Sequence, residues 1–571
     1  MAVALSTVFN ESSDFIVIGL TGRTGSGCST SAKIMAGDNL PLPSPEDSHF
    51  EGNERRKYKI IKNFIDVKWR KFEWLQVKSV ISRFLLELNH PQFCSLVAET
   101  LGLELSDVVE KLTPFKKEYD EFHQEIKEFL SKKEEDKKKE AFTIYFKRLP
   151  IFSDNLKQSL KTISMSAYTS LYQKVGDNIR ASGKANKSTF DPSKVFTFPS
   201  VINKVIKAAK YSSRQENRPC YIVIDAIRNP YEAIFLKGRH SDFYLISINT
   251  NNENRLKHLR ESHKFSEQQI IELDEKEYPK KLIGHNKYIS QNIQKCIEIS
   301  DVHINNPKDD NYGNSELASQ LAWYIALMMH PGLVMPTSIE NCMQIAYSAK
   351  KSSGCISRQV GAVVTNEFFS VKSVGWNNTA EGQVPCILRS AQNLLNGIDK
   401  DAYSKYERNS KEFRETIEYK YTDIIETAKK DGRNLSYCFK DVQNELEGEK
   451  NQVHTRSLHA EENAFLQLSK YGGQQLKGGY LFTTASPCEL CAKKAFQLGI
   501  TKIFYIDPYP GIATTHILAY GKNPPQLHLF RGALGSAFHK LYQPMMPYKD
   551  ELEMAYMIKK HGNNKDKKLN A

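Results

Sequence analysis

The sequence predicts an α/β protein in two modules: an N-terminal parallel sheet that carries a long helical insert, and a C-terminal α/β/α sandwich. Three observations predict it. The run Phe15-Ile16-Val17-Ile18-Gly19-Leu20 reads as a buried strand and leads into the glycine-rich stretch Gly22 to Thr30, then Ser31-Ala32-Lys33. Strand, glycine turn and helix in that order start a parallel α/β layer. From residue 338 to 506, strand and helix patterns alternate. Finally, 571 residues exceed what one core supports, so two or three domains are expected. The boundaries read as 1–330, with the insert at about 55–215, then 331–550 and a polar tail at 551–571, frayed from Lys559 to Ala571.

The stretch Gly22-Arg23-Thr24-Gly25-Ser26-Gly27-Cys28-Ser29-Thr30 resembles a P-loop, in which backbone amides at a helix start cradle phosphates. Gly22, Gly25, Gly27, Cys28, Ser29 and Thr30 are the nucleotide-binding candidates, for ATP or GTP with Mg²⁺ near Ser29. Cys28 stands where the motif has its lysine, so binding is expected to outlast phosphoryl transfer. Within the insert, Ile81, Phe84, Leu85 and Leu88 share a helix face, and Phe115 to Leu149 reads as a charged amphipathic stretch. Lys132 to Glu140 alternates blocks of charge, as a solvated helix face or a partner-binding arm does. Residues 182–194 read as a loop.

Past the insert, Tyr221 to Asp225 is a strand ending in an acid, followed by Arg228-Asn229; Phe243 to Ile248 is another strand. Together with the glycine loop these look like nucleoside-monophosphate and dephospho-coenzyme-A kinases. That resemblance implies a P-loop kinase-like fold, with Asp225 facing Mg²⁺ and Arg255 and Arg260 as a lid pair. Residues 13–35 and 219–310 carry it.

In the C-terminal module, Ser338 is placed to cap a helix whose apolar residues Ile339, Cys342, Met343, Ile345, Ala346 and Ala349 recur at three- and four-residue steps. Val360 to Val364 and Val371 to Val374 read as a hairpin. Glu461 to Ser469 is a helix, Tyr480 to Thr484 a strand, Cys488 to Leu498 a helix and Ile503 to Ile506 a strand.

The chemistry lies where those helices begin. His459-Ala460-Glu461 and Pro487-Cys488-Glu489-Leu490-Cys491 present one imidazole and two thiolates at zinc-ligand spacing. Such a set leaves one position open for water and lowers its pKa to about 7. Glu461 is then a proton shuttle rather than a ligand. Taken alone, a Cys-x-x-Cys pair is also compatible with a redox couple or half of a structural zinc site. Two helix N-termini at the metal favour thiolate and hydroxide.

Arg358-Gln359-Val360-Gly361-Ala362-Val363-Val364, then Gly375-Trp376-Asn377, then His-Ala-Glu-x-Asn-Ala and Pro-Cys-x-x-Cys-Ala-Lys, resemble the deoxycytidylate (dCMP) deaminase family over about residues 337–535. Guanine, tRNA adenosine and riboflavin-pathway deaminases share the zinc motif but usually lack the Gly-aromatic-Asn and Cys-Ala-Lys segments. The resemblance implies a cytidine-deaminase-like fold, free deoxycytidine nucleotides as substrates and Asn377 on the sugar. It also implies a homo-oligomer, taken as a hexamer. Some members carry a structural zinc, and Cys355, Cys386, Cys438 and His454 stand in the matching places. Asn378-Thr379-Ala380-Glu381-Gly382 departs from the loop with which allosteric members bind dCTP, which directs attention to the glycine loop as the regulatory site.

The whole plan is similar to two-domain bacterial deoxycytidylate deaminases of phage defence, which implies depletion of the deoxycytidine nucleotide pool. A housekeeping pyrimidine-salvage enzyme carries the same catalytic residues. A polynucleotide-editing deaminase needs a basic, aromatic-lined channel, and a nucleotide sensor with a deaminase effector is a further class. Hydrophobic content of 40% indicates a globular chain, and no segment approaches ~20 apolar residues, so no membrane span is expected. Ten cysteines without regular spacing suit a reducing, cytoplasmic setting. The net charge of +13 fits nucleotides and leaves a regulatory nucleic acid open.

Overall fold

In a computed structural model, residues 14–262, 264–279, 282, 284–307, 314–449, 451–472, 475–507 and 512–556 are described. The expected frayed segment Lys559 to Ala571 lies outside them. Two compact units form: Met1–Met335 with Ser536–Ala571, and Pro336–Gly535. The sequence boundaries assign 536–550 to the second module, but these residues group with the first unit. There the Gly332 amide donates to Leu541 O at 2.8 Å, and His330 meets Glu551 at 2.8 Å. Among the described residues, no helix is long and apolar enough to cross a membrane.

The first unit is built on an all-parallel sheet. Its strands are β1 (Phe15–Thr21), β2 (Glu73–Leu75), β3 (Cys220–Ile224), β4 (Phe243–Asn249) and β5 (Val302–Asn305), in the order β5-β4-β1-β3-β2. β1 is flanked on both edges and all seven of its residues are buried, which is why its sequence is continuously apolar. Helix α1 (Cys28–Met35) leaves its carboxyl end through the glycine loop. Because the chain crosses to β3 on one side of β1 and β4 on the other, that end opens as a crevice. Helices α2 (Asn252–Glu261) and α3 (Glu267–Glu277) follow β4.

The insert is mostly helical, from Gly52–Lys68 to Thr197–Gln215, with Ile81, Phe84, Leu85 and Leu88 buried in the same core as Val17 and Ile222. It is not helical throughout, because β2 lies inside it and extends the sheet beside β3. Three residues are too short to show a strand period. Residues 132–136 and 138–139 are exposed, as on a solvated face.

The second unit has a five-stranded sheet of β6 (Gly361–Thr365), β7 (Val371–Trp376), β8 (Tyr480–Ala485), β9 (Lys502–Asp507) and β10 (Gln526–Leu529), in the order β10-β9-β8-β6-β7. β6 and β7 form the expected hairpin, β8 runs antiparallel to β6, and β8, β9 and β10 are mutually parallel. Alternate residues feed two cores. Val363, Phe482 and Phe504 pack with Cys342, Met343 and Ala346 of α4 (Ser338–Lys350) on one face. Ala362, Val364, Leu481 and Ile503 face α5 (Ala460–Lys470) and α6 (Glu489–Gln497) on the other. This is the expected α/β/α sandwich. Thr337, not Ser338, caps α4: its side chain accepts from the Glu340 amide at 3.1 Å while the Glu340 carboxylate accepts from the Thr337 amide at 2.9 Å.

Between the short paired segments Asn378–Thr379 and Ser457–Leu458 the chain makes an excursion with a core of its own, including Ala391, Phe413, Ile417, Tyr437 and Val442. Fully buried Arg389 pairs with Glu407 and donates to Tyr437 Oη at 2.7 Å, which pins this subdomain. Its helix α7 (Phe439–Glu447) returns the chain toward His459.

Candidate metal and substrate site

His459 is the N-cap of α5 and Cys488 the N-cap of α6, so each ligand candidate sits at the positive end of a helix. Cys491 lies in the first turn of α6. Nδ1 of His459 is 3.3 Å from Cys488 Sγ and 3.4 Å from Cys491 Sγ. Tetrahedral zinc with ordinary Zn–N and Zn–S bonds gives an N···S edge of about 3.5 Å. The three side chains therefore fit the ion. Among the described residues they are the group of His, Cys, Asp or Glu close enough to hold one. A hydrogen bond joins the two thiols. The hydrogen bond from Cys491 pushes Cys488 down to about 4, and the same bond drives Cys491 well up. A zinc cation replaces the proton of that bond and the attraction to the imidazole.

Glu461 follows two residues after His459, on the first turn of α5, and is 4% exposed. Burial pushes its carboxyl above the usual carboxylate range. Thr483 Oγ lies 3.1 Å from Glu461 Oε1 and 2.8 Å from Ala485 O, fixing the carboxylate against β8. The sequence analysis missed Thr483, since a threonine in a strand carries no signal of its own. Gly375 shows why glycine opens the Gly-Trp-Asn segment. A Cβ there would lie 2.3 Å from Ala460 O and 2.4 Å from Ala464 N, so β7 approaches the backbone of α5.

His459, Glu461 and Cys488 line a cavity of about 240 Å³ together with Cys355, Ser357, Arg358, Val360, Asn377, Lys440, Gln452, Thr455 and Ser457. Asn377 is mostly committed to the scaffold. Its Oδ1 accepts from the Val360 amide at 2.7 Å and its Nδ2 donates to Arg358 O at 2.7 Å. One Nδ2 proton and one Oδ1 lone pair remain for a ligand. Arg358 pairs with fully buried Asp507.

The four candidates for a second zinc are not brought together. Cys355 lines the cavity, Cys386 is buried, and His454 Nε2 lies 2.8 Å from Glu447 Oε2. Burial pushes the Cys438 thiol up to about 11. The resemblance that implied a set does not carry through the excursion, which gives His454 a carboxylate partner.

In the first unit, Gly22, Gly25, Gly27, Cys28, Ser29 and Thr30 line a cavity of about 190 Å³ with Asp225, Arg228 and His258. Gly25 and Gly27 have φ of 88° and 114°, which favour glycine. Burial pushes the Cys28 thiol up to about 11, so it adds no charge. Arg228 supplies a cation to this cavity. It is held by Glu277 of α3, whose fully buried carboxylate also accepts from the Thr24 amide at 3.0 Å. Asp225, in the same lining, accepts from the Val77 amide at 2.9 Å, and burial pushes its carboxyl up. Arg255 and Arg260 do not act as a pair. Arg255 is buried against Thr24 O and Asp274, whereas Arg260 lies on the surface with Glu267.

Fold and site together define a zinc-binding hydrolytic deaminase. Residues 336–507 match the family described as cytidine and deoxycytidylate deaminase zinc-binding region. The deoxycytidylate deaminase of Enterobacteria phage T4 is 30% identical over 169 residues, which span 29% of this chain and 76% of that protein. That of Enterobacteria phage T2 is 28% identical over 169 residues, spanning 29% and 78%. The dCMP deaminase of cyanophage S-TIM5, solved with dCMP and dUMP, aligns at 21% identity over 34% of this chain and 95% of its own, with a TM-score of 0.20. The chain belongs to the deoxycytidylate deaminase family and is an enzyme of that class.

Proposed function

We propose that the second unit hydrolyses the C4 amine of a free deoxycytidine nucleotide, dCMP or dCTP, giving the deoxyuridine nucleotide and ammonia. The observation that carries this is the buried Glu461 beside the His459, Cys488 and Cys491 set, inside one nucleotide-sized cavity. Zinc bound by those three residues supplies a hydroxide nucleophile at neutral pH. Glu461 takes a proton from that water and gives it to the ring nitrogen, then takes the proton of the new C4 hydroxyl and gives it to the departing amine. Its raised proton affinity suits a group that must gain and lose a proton in each turnover. Thr483 holds the carboxylate, and the free valences of Asn377 face the sugar.

The first unit is assigned a nucleotide-binding, regulatory role through Gly22, Gly25, Gly27, Ser29 and Thr30, in a cavity that Arg228 also lines. Depletion of a deoxycytidine nucleotide pool as a defence is the biological reading that accompanies this pairing of units. Incubating the purified, zinc-loaded chain with dCMP, dCTP and a cytosine-containing oligonucleotide, followed by chromatography, tests the substrate class. Deamination of the oligonucleotide with both free nucleotides untouched overturns it in favour of editing.

A further inference from the structure

We propose that Lys440, carried into the cavity by the excursion between Thr379 and Ser457, binds the 5′-phosphate of the substrate and sets the preference for nucleotide over nucleoside. The inference rests on reading the 240 Å³ cavity as a cytidine nucleotide site.

A deoxycytidine nucleotide whose C4 meets Glu461 carries its phosphate at the other end of the molecule, so the same cavity must offer an anion partner away from the metal ligands. Two cations line it, Arg358 and Lys440. Arg358 is already engaged in an ion pair with Asp507, which is fully buried. Lys440 has no such obligation. Its Nζ donates to neutral Gln452 Oε1 at 3.4 Å, and among the described residues it forms no ion pair. Gln452, Thr455 and Ser457 line the same cavity and offer further neutral hydrogen-bonding groups. Glu447, an acid on the same helix, is engaged by His454.

The position of Lys440 is structurally fixed. It lies in the first turn of α7, so the positive end of that helix adds to its potential. Val442, two residues on, is 1% exposed and packs in the core formed with Phe413, Ile417 and Tyr437. A charge-assisted hydrogen bond from a cation so held is stronger than one from a mobile surface lysine, because less side-chain freedom is lost on binding. The excursion thus supplies specificity while the sandwich supplies chemistry.

The test compares kcat/KM for dCMP and for deoxycytidine in the full-length, zinc-loaded protein and in Lys440→Ala, Lys440→Glu and Lys440→Arg. The ratio of the two should fall roughly 10- to 100-fold in Lys440→Ala, through KM for dCMP, and fall further in Lys440→Glu. Lys440→Arg should recover most of it. An unchanged ratio overturns the assignment, as does an equal loss on both substrates, which would make Lys440 a support of the cavity wall. If the zinc-loaded wild type deaminates neither of these nor dCTP, the cytidine nucleotide reading itself fails and the inference falls with it.

Discussion

Cys28 and Cys488 each follow a buried strand and stand at the start of a helix, yet their thiols are driven in opposite directions. Burial lifts Cys28 to about 11, with Ser26 as a weak sulfur contact at 3.8 Å. Cys488, with Cys491 and His459 around it, is pushed down to about 4. The helix end is common to both, so it does not decide the protonation state. What decides is whether other donors converge on the sulfur. In the first unit the helix start adjoins a glycine loop whose cavity Arg228 also lines. The second uses two helix starts to gather three ligand atoms.

Replacing the two cysteines is the strongest test of that contrast. Cys488→Ala should lose bound zinc and turnover together, whereas Cys28→Ser should retain zinc at the wild-type stoichiometry, both read by elemental analysis. Matching zinc loss in the two variants would break the comparison. Next in size, Glu461→Gln should keep zinc and lower kcat by about 10²- to 10⁴-fold, the usual worth of a positioned general acid–base. A rate within a few-fold of wild type would remove Glu461 from the proton path.

Crowding provides a subtler contrast. Gly375→Ala drives a methyl into the Ala460 and Ala464 backbone of the metal-bearing helix and should cost about 1–3 kcal/mol in denaturant unfolding of the second unit, with weaker zinc retention. At Gly25, φ of 88° adds backbone strain, but the nearest atom, 3.0 Å away, belongs to the Leu259 side chain, which can give way. Gly25→Ala should therefore act on ligand binding in the first unit and leave zinc retention alone. The smallest effect is expected of Thr483→Val. Loss of one neutral hydrogen bond to Glu461 should lower kcat by roughly 2- to 10-fold. No change would assign the Thr483 hydroxyl to Ala485 O.

The metal set was legible because its parts are local: Cys488 and Cys491 lie within one helical turn, and His459 and Glu461 within another, so spacing alone brings each pair to one helix start. The sandwich was legible because β6, β8 and β9 alternate between two cores. The second-zinc reading of Cys355, Cys386, Cys438 and His454 failed for the converse reason. Those positions are joined through a subdomain whose packing, around Arg389, Glu407 and Tyr437, no spacing rule describes. The bond from the Val77 amide to Asp225, far apart in sequence, likewise had no local signal.

By itself the sequence determined the two α/β units, the clustering of His459, Cys488 and Cys491 beside Glu461, and the glycine loop without its lysine, because each depends on residues a few positions apart and on strand or helix periods. Tertiary structure alone decided that Glu277 reaches the Thr24 amide, that Asn377 braces the Arg358–Val360 segment, that β2 joins the sheet from inside the insert and that Lys440 enters the catalytic cavity. Each of these pairs groups separated by long stretches of chain, and what joins them is the packing of buried surfaces, which leaves no periodic trace at the residues it brings together.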